Sequence, residues 1–327
     1  MSTFACEVVP IRNLRPHPNA DTLSIVDVLD GFPCIVRTEE WARRDRGVYI
    51  PVDAVVPDAP EFAFLGGHRR IKAKKLRGIF SMGLLVEARE GWGIGDDVTA
   101  LLGVTKHDPD QFTERGSLST GGDDAPAPPC LAPAYTDIES LRRYRHVLAP
   151  GEPIIATEKI HGANARYLIH DGALHCGSRT RWKREDERSI WWRAARQAEM
   201  AERLPAGFVF YGEVYGQVQD LRYGASGGEV RFRAFDVLEV VSGHYLDHVE
   251  AMRVCFEAGL EVAPVLYAGP YNFDALADIA ERDSIVDGCG GIREGVVVRP
   301  IAERFHERVG RVIFKLHSQR YLLRKGA

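Results

Sequence analysis

Thr157-Glu158-Lys159-Ile160-His161-Gly162-Ala163-Asn164 puts a lysine at the end of an apolar run and directly ahead of a glycine turn. Residues 152–158 (EPIIATE) read as a strand, and 166–170 (RYLIH) read as the next one. Lys159 therefore falls at a strand end, where its ammonium cannot snorkel freely. A lysine is a nucleophile only as the free amine, and partial burial or neighbouring cations lower its pKa towards the working range. Taken alone, a strand-end lysine beside a turn is most simply a solvated charge, so the rest of the chain has to supply its meaning.

Outward from this stretch, 208–214 (FVFYGEV), 230–238 (VRFRAFDVL), 295–300 (GVVVRP) and 311–316 (RVIFKL) also read as strands, with helices near 188–204, 246–259 and 273–282. In ERSIWWRAARQAEMAERLP, the residues Ile190, Trp191, Ala194, Ala198, Ala201 and Leu204 recur at helical spacing, and Pro205-Ala-Gly207 ends the run. Trp191 and Trp192 could serve as stacking platforms for bases, but on an amphipathic helix the expectation is core packing. No G-x-x-x-x-G-K-[ST] occurs, and the Gly288-Cys289-Gly290-Gly291 cluster lacks the lysine and the helix a P-loop needs. H-E-x-x-H and G-x-S-x-G are absent as well.

Five further segments follow Lys159 in order: Ser178-Arg179-Thr180, Tyr211-Gly212-Glu213-Val214-Tyr215-Gly216, Phe232-Arg233-Ala234-Phe235-Asp236-Val237, Arg293-Glu294-Gly295-Val296-Val297-Val298-Arg299 and Ile313-Phe314-Lys315-Leu316-His317. In residue type and spacing, Glu158 to His317 resembles the motifs of the covalent nucleotidyltransferases, the superfamily of ATP-dependent ligases and capping enzymes. The form EKIHGAN, with His161 where DNA ligases usually carry aspartate, looks like the RNA-ligase branch. The resemblance implies a mixed, largely antiparallel, ATP-grasp-like adenylylation domain. It also implies ATP as cofactor and Lys159 as the nucleophile that becomes lysyl-AMP, with transfer of AMP to an RNA 5′-phosphate and displacement by a 3′-OH. Glu158, Ile160, His161, Gly162 and Asn164 are then expected around the nucleotide, as is His317. Arg179 can fork onto phosphate or ribose oxygens, and Phe235 can stack on adenine. Glu213 and Glu294 can hold ribose hydroxyls or the waters of Mg²⁺ or Mn²⁺, and Lys315 can offset charge on the α-phosphate. His317 departs from the pattern, because related RNA ligases commonly carry lysine there.

Only 12 residues follow Lys315 in the sequence (327 − 315), so a C-terminal OB barrel of the kind that follows the last motif in DNA ligases and capping enzymes is not expected. Ahead of the motifs, the runs LSIVDVL (23–29), PCIVRT (33–38), GVYIPVD (47–53) and SMGLLVEA (81–88) are short and rich in Val, Ile and Leu, with turn residues such as Asp30-Gly31 between them. They predict a small β-barrel or sandwich. The segments Pro16-His17-Pro18-Asn19-Ala20-Asp21-Thr22-Leu23 and Leu76-Arg77-Gly78-Ile79-Phe80-Ser81-Met82-Gly83 look like those of tRNA-binding OB domains. An OB domain ahead of such a catalytic domain is similar to the Deinococcus- and Naegleria-type RNA ligases. The expected organisation is α+β: an N-terminal OB-like β-barrel over 1–108, a linker over 109–132 where Gly, Pro, Ser and Asp crowd out any apolar period, and the nucleotidyltransferase domain over 133–327.

The net charge of −4, from 42 Lys+Arg against 46 Asp+Glu, supplies no overall cationic field, so contact with nucleic acid must come from a local patch. GGHRRIKAKKLRG is that patch: Arg69, Arg70, Lys72, Lys74, Lys75 and Arg77 occur with no acid between Gly66 and Gly78. RNA phosphates are the expected partner, with a solvated face as the simpler alternative. For Asn19, turn capping is a simpler role than RNA contact. No apolar run approaches the roughly 18 residues that span a bilayer. No signal-like start precedes MSTFACEVVP, and the six cysteines form no C-x-x-C pair. A cytoplasmic monomer with reduced thiols and no membrane partner is expected. The functional expectation is an RNA ligase acting on nicked duplex or structured RNA. The alternatives are a capping guanylyltransferase, which shares the lysine chemistry, and a non-catalytic tRNA-binding protein.

Overall fold

The computed structural model describes residues 4–29, 32–107 and 123–324. The Asp30-Gly31 turn and the 109–122 part of the expected linker lie outside the described residues. The chain divides into two compact units. Among the described residues, one takes in 123–141 and Arg145–Ser318; the other takes in 4–29 and 32–107 with Arg142–Tyr144 and 319–324.

The larger unit is built on two sheets. Six antiparallel strands lie in the order Asp124–Ala125, Trp182–Lys183, Ala173–Ser178, Ala163–His170, Phe208–Gly216, Val230–Glu239. Alternation along these strands sorts side chains to two faces. Tyr167 and Phe210 join Trp191, Trp192 and Val254 from the helices Ile190–Gln197 and His248–Glu257, while Leu168 and Tyr211 join Tyr135, Trp182 and Leu238 on the other face. Both tryptophans of the helix are buried, as its periodicity predicts, and donate their indole N–H groups to the carbonyls of Asn164 and Lys183.

The second sheet runs Glu139–Ser140, Phe314–His317, Gly295–Pro300, Pro153–Glu158, Val265–Pro270. Its first pair is parallel and the rest antiparallel. The domain is thus the mixed, largely antiparallel one expected. Local reading erred in two places. The helix predicted across 188–204 breaks after Gln197, because Glu199 adopts φ 51°, and the break drops Met200 fully into the core. The strand predicted over 311–316 is confined to Phe314–His317, since Arg311 pairs instead with Phe305 and sends its guanidinium to Asp236.

In the smaller unit, Glu7–Pro10, Arg46–Ile50 and Leu84–Val86 form one three-stranded sheet, and Arg15–His17, Ala20–Val28 and Phe32–Arg37 form another. Two-stranded ladders join Ala54–Val55 to Thr105–Lys106 and Lys74–Leu76 to Ile79–Ser81. The predicted small β domain is present, but these ladders do not close into one barrel among the described residues. Pro10 ends one strand and Pro51 follows another, and neither has an N–H with which to carry a ladder on. The two OB-like segments are latched together: His17 Nε2 lies 3.1 Å from Leu76 O, Asn19 donates to Arg77 O at 3.0 Å, and Arg77 donates back to Asn19 O at 3.1 Å.

Candidate active site

The second sheet brings distant residues to one strand end. Glu158 lies opposite Val296, Val297 opposite Lys315, and Gly295 opposite His317. The step out of the Pro153–Glu158 strand therefore meets the step into Gly295–Pro300, and Lys159 N donates to Gly295 O at 3.0 Å. There the Lys159 ammonium lies 3.0 Å from Glu294 Oε1, His317 Nε2 lies 3.6 Å from the same oxygen, and His161 Nδ1 lies 3.2 Å from Glu294 Oε2. Lys315, half-buried, precedes His317 by one repeat of the strand pleat.

Electrostatics amend the simple view of the lysine. Burial does push the Lys159 pKa down, but the carboxylates of Glu294 and Glu213 more than offset it, and the net direction is up. The resting lysine is an ammonium held by these two carboxylates. Burial would raise the Glu294 pKa, yet Lys159 and the two histidines hold the carboxyl well below its usual range. Burial lowers the His317 pKa, with Lys159 and Lys315 acting in the same direction against Glu294.

The first sheet supplies the other wall. Asn164 and Glu213 are cross-strand partners, as are Glu213 and Arg233. Gly162 packs on this strand so closely that a Cβ would overlap the Val214 carbonyl and sit 3.0 Å from Glu213 Cγ, so only glycine fits. The Asn164 side-chain oxygen is buried with no hydrogen-bond partner, a free acceptor beside the lysine loop. Phe235 sits at a bulge, half-buried, 4.9 Å from the ring centroid of Tyr135. The next residue, Asp236, is fully buried and accepts from Arg299 at 3.0 Å, Arg311 at 2.6 Å and Tyr135 at 2.7 Å. This ties the Phe235 strand to the Gly295–Pro300 strand.

Other candidates are placed differently. Glu158 is buried and accepts from Ser284, from Ile285 N at 3.0 Å and from Arg293 at 3.3 Å, so its carboxylate braces the strand end from behind. Ile160 is buried, and Arg179 pairs with Asp137. In the smaller unit, Arg69 donates to Val56 O, Arg70 pairs with Asp53 at 2.7 Å, and Lys72, Lys74 and Lys75 are exposed. Sequence reasoning missed the irregular stretch between Gly216 and Val230. There Gln219 donates to Gly162 O, Asp220 Oδ1 lies 2.7 Å from His161 Nε2, and the Tyr223 hydroxyl accepts from His161 N at 2.8 Å. The stretch lacks apolar periodicity, so no local signal marked it.

Among the described residues no cluster of three or more His, Cys, Asp or Glu could hold a metal ion. The donor set, Glu213 and Glu294, suits a cation that keeps water and substrate phosphate oxygens in its shell, as Mg²⁺-type sites do. No helix among the described residues is long and apolar enough to cross a membrane.

A family model described as RNA ligase matches residues 152–317, and one described as an OB-fold domain matches residues 6–88. No curated protein sequence matches the chain. Among solved structures, the fold is similar to a Naegleria gruberi RNA ligase mutant with ATP and Mn (TM-score 0.81, 22% identity, covering 97% of this chain and 98% of that one). It is likewise similar to the Naegleria gruberi enzyme with PPi (TM-score 0.80, 22% identity, 98% of each chain). A third is a mutant of that enzyme with AMP and Mn (TM-score 0.80, 22% identity, 99% of each chain).

Proposed function

The chain belongs to the RNA ligase family, and from that premise we propose that it is an ATP-dependent enzyme sealing 3′-OH/5′-phosphate breaks, with nicks in duplex or structured RNA as substrates. The observation that carries this reading is the Lys159–Glu294 pair, 3.0 Å apart at the end of adjoining strands with His317 on the same carboxylate. The ATP, AMP, PPi and Mn in the names of the similar Naegleria structures support the cofactor assignment.

In this reading, the Lys159 amine attacks the α-phosphorus of ATP. A P–N bond forms, the bond to the bridging oxygen breaks, pyrophosphate leaves and the nitrogen gives up its proton. An RNA 5′-phosphate oxygen then attacks the same phosphorus, breaking the P–N bond, and the lysine nitrogen takes a proton back. Finally a 3′-OH attacks the RNA phosphorus, AMP leaves and the hydroxyl proton is released. Lys315, on the Phe314–His317 strand beside the Lys159–Glu294 pair, is assigned the role of offsetting charge on the α-phosphate. The buried Asn164 oxygen, without a hydrogen-bond partner, and the Phe235 ring, 4.9 Å from Tyr135, are assigned in this reading as nucleotide contacts. Arg179 reaches phosphate or ribose by exchanging its Asp137 partner. Glu213 and Glu294 are the residues that would hold Mg²⁺ or Mn²⁺, and the positive charge of such an ion would favour the free amine of Lys159. Residues 133–327 carry this chemistry, and the OB-fold domain over 1–108 binds RNA phosphates through its basic run.

The test is covalent labelling. ATP labelled at the α-phosphate, with Mg²⁺ or Mn²⁺, leaves label on the protein through a bond that survives base and breaks in acid, and Lys159→Ala abolishes it. Label retained on that variant overturns the assignment of the nucleophile. GTP in place of ATP tests the nucleotide, and label from GTP alone would point to capping chemistry instead.

A further inference from the structure

We propose that Asp220, acting through His161, is a positioning residue that holds Glu294 in place once Lys159 carries AMP; the inference rests on the lysyl-AMP reading above. Glu294 is 5% exposed, and a buried carboxylate keeps its place only while donors face it. Its two oxygens are divided. Oε1 faces Lys159 and, more distantly, His317, whereas Oε2 faces His161 Nδ1 at 3.2 Å.

Adenylylation changes that balance, because the lysine nitrogen becomes a phosphoramidate and loses its positive charge. Oε1 then loses its strongest partner. What remains closest to the carboxylate is the imidazole on Oε2, and an imidazole holds a direction only if its other nitrogen is held too. Asp220 does this, with Oδ1 at 2.7 Å from Nε2. His161 is 3% exposed, and the same stretch of chain clasps its backbone, with Tyr223 on His161 N and Gln219 on Gly162 O. The Asp220 side chain is 55% exposed, so truncating it leaves the core intact.

The steps therefore depend on Asp220 unequally. Lysine adenylylation starts with the ammonium still gripping Glu294, whereas AMP transfer to RNA starts without it. In the full-length chain, the rate of lysyl-AMP formation is compared with single-turnover transfer from purified lysyl-AMP protein to a nicked RNA duplex bearing a 5′-phosphate. Asp220→Ala slows transfer about tenfold more than formation, the scale of one charge-assisted hydrogen bond. The same substitution is then made on His161→Asn, whose amide can still face Glu294 but is too short to reach Asp220. There the loss of Asp220 changes transfer less than about twofold, since coupled residues are non-additive. Equal slowing of both steps, or additive losses in the double variant, overturns the proposal while leaving the ligase reading intact. A wild-type chain that takes no label from ATP overturns both.

Discussion

Acidification of the Asp236→Asn variant tests whether the buried carboxylate beside Phe235 holds the two sheets of the catalytic unit together. Burial alone would raise the Asp236 pKa, but Arg299 and Arg311, with the Tyr135 hydroxyl, take it from the ordinary 3.8 down to about 2. A folded-state value below the unfolded one means stability that is complete above the unfolded pKa and is lost as pH falls through the folded one. The fall from 3.8 to about 2 corresponds to about 2–3 kcal/mol, lost progressively between roughly pH 5 and pH 1. At neutral pH the asparagine leaves two arginine side chains, 5% and 2% exposed, with Glu303 as the remaining carboxylate. Removing one partner of such a buried set costs about 3–5 kcal/mol. Urea unfolding followed by tryptophan fluorescence reads this, because Trp182 belongs to the same cluster as Tyr135. Wild type and variant differ by about 3–5 kcal/mol at pH 7, and the gap narrows by about 2 kcal/mol towards pH 2 as the wild-type carboxylate is protonated. A gap that stays constant over that range refutes the argument, as does a variant as stable as wild type at pH 7.

His248, whose Nδ1 lies 3.2 Å from Arg299, is driven by burial and then by that arginine from 6.5 to about 4, so acid stability begins to fall below about pH 6.5. His248→Gln removes the part of the loss lying between about pH 6.5 and 4, as read by the same urea titrations. Gly162→Ala forces the lysine loop off the Glu213–Val214 strand and lowers lysyl-AMP formation by at least about tenfold, measured with labelled ATP. Charge reversal at Lys72, Lys74 and Lys75 reduces the slope of log RNA affinity against log salt by about one for each phosphate no longer neutralised, while label uptake from ATP stays near wild type.

The strand that ends just before Lys159 was legible in the apolar run 152–158 and the glycine after it, but the lysine taken alone read as a solvated charge. Gly295–Pro300, with its unbroken β-branched run, was legible for the same kind of reason. The helix break at Glu199 and the strand Val265–Pro270 were not, since a left-handed glutamate and an edge strand of mixed polarity follow from packing and not from period. The site itself divides in the same way. Residue types came from the chain, but Glu294 is a partner of Lys159 because antiparallel register sets Glu158 opposite Val296. That register also turned the expected pKa direction of the lysine around. Asp236, with Arg299, Arg311 and Tyr135, and Asp220 behind His161, lay still further from view. Their roles depend on charges meeting across sheets and loops, where burial multiplies each interaction. The sequence by itself determined which local segments could carry the chemistry. Only the tertiary structure decided which charges face one another, because Coulomb and hydrogen-bond energies depend on distances that no local pattern encodes.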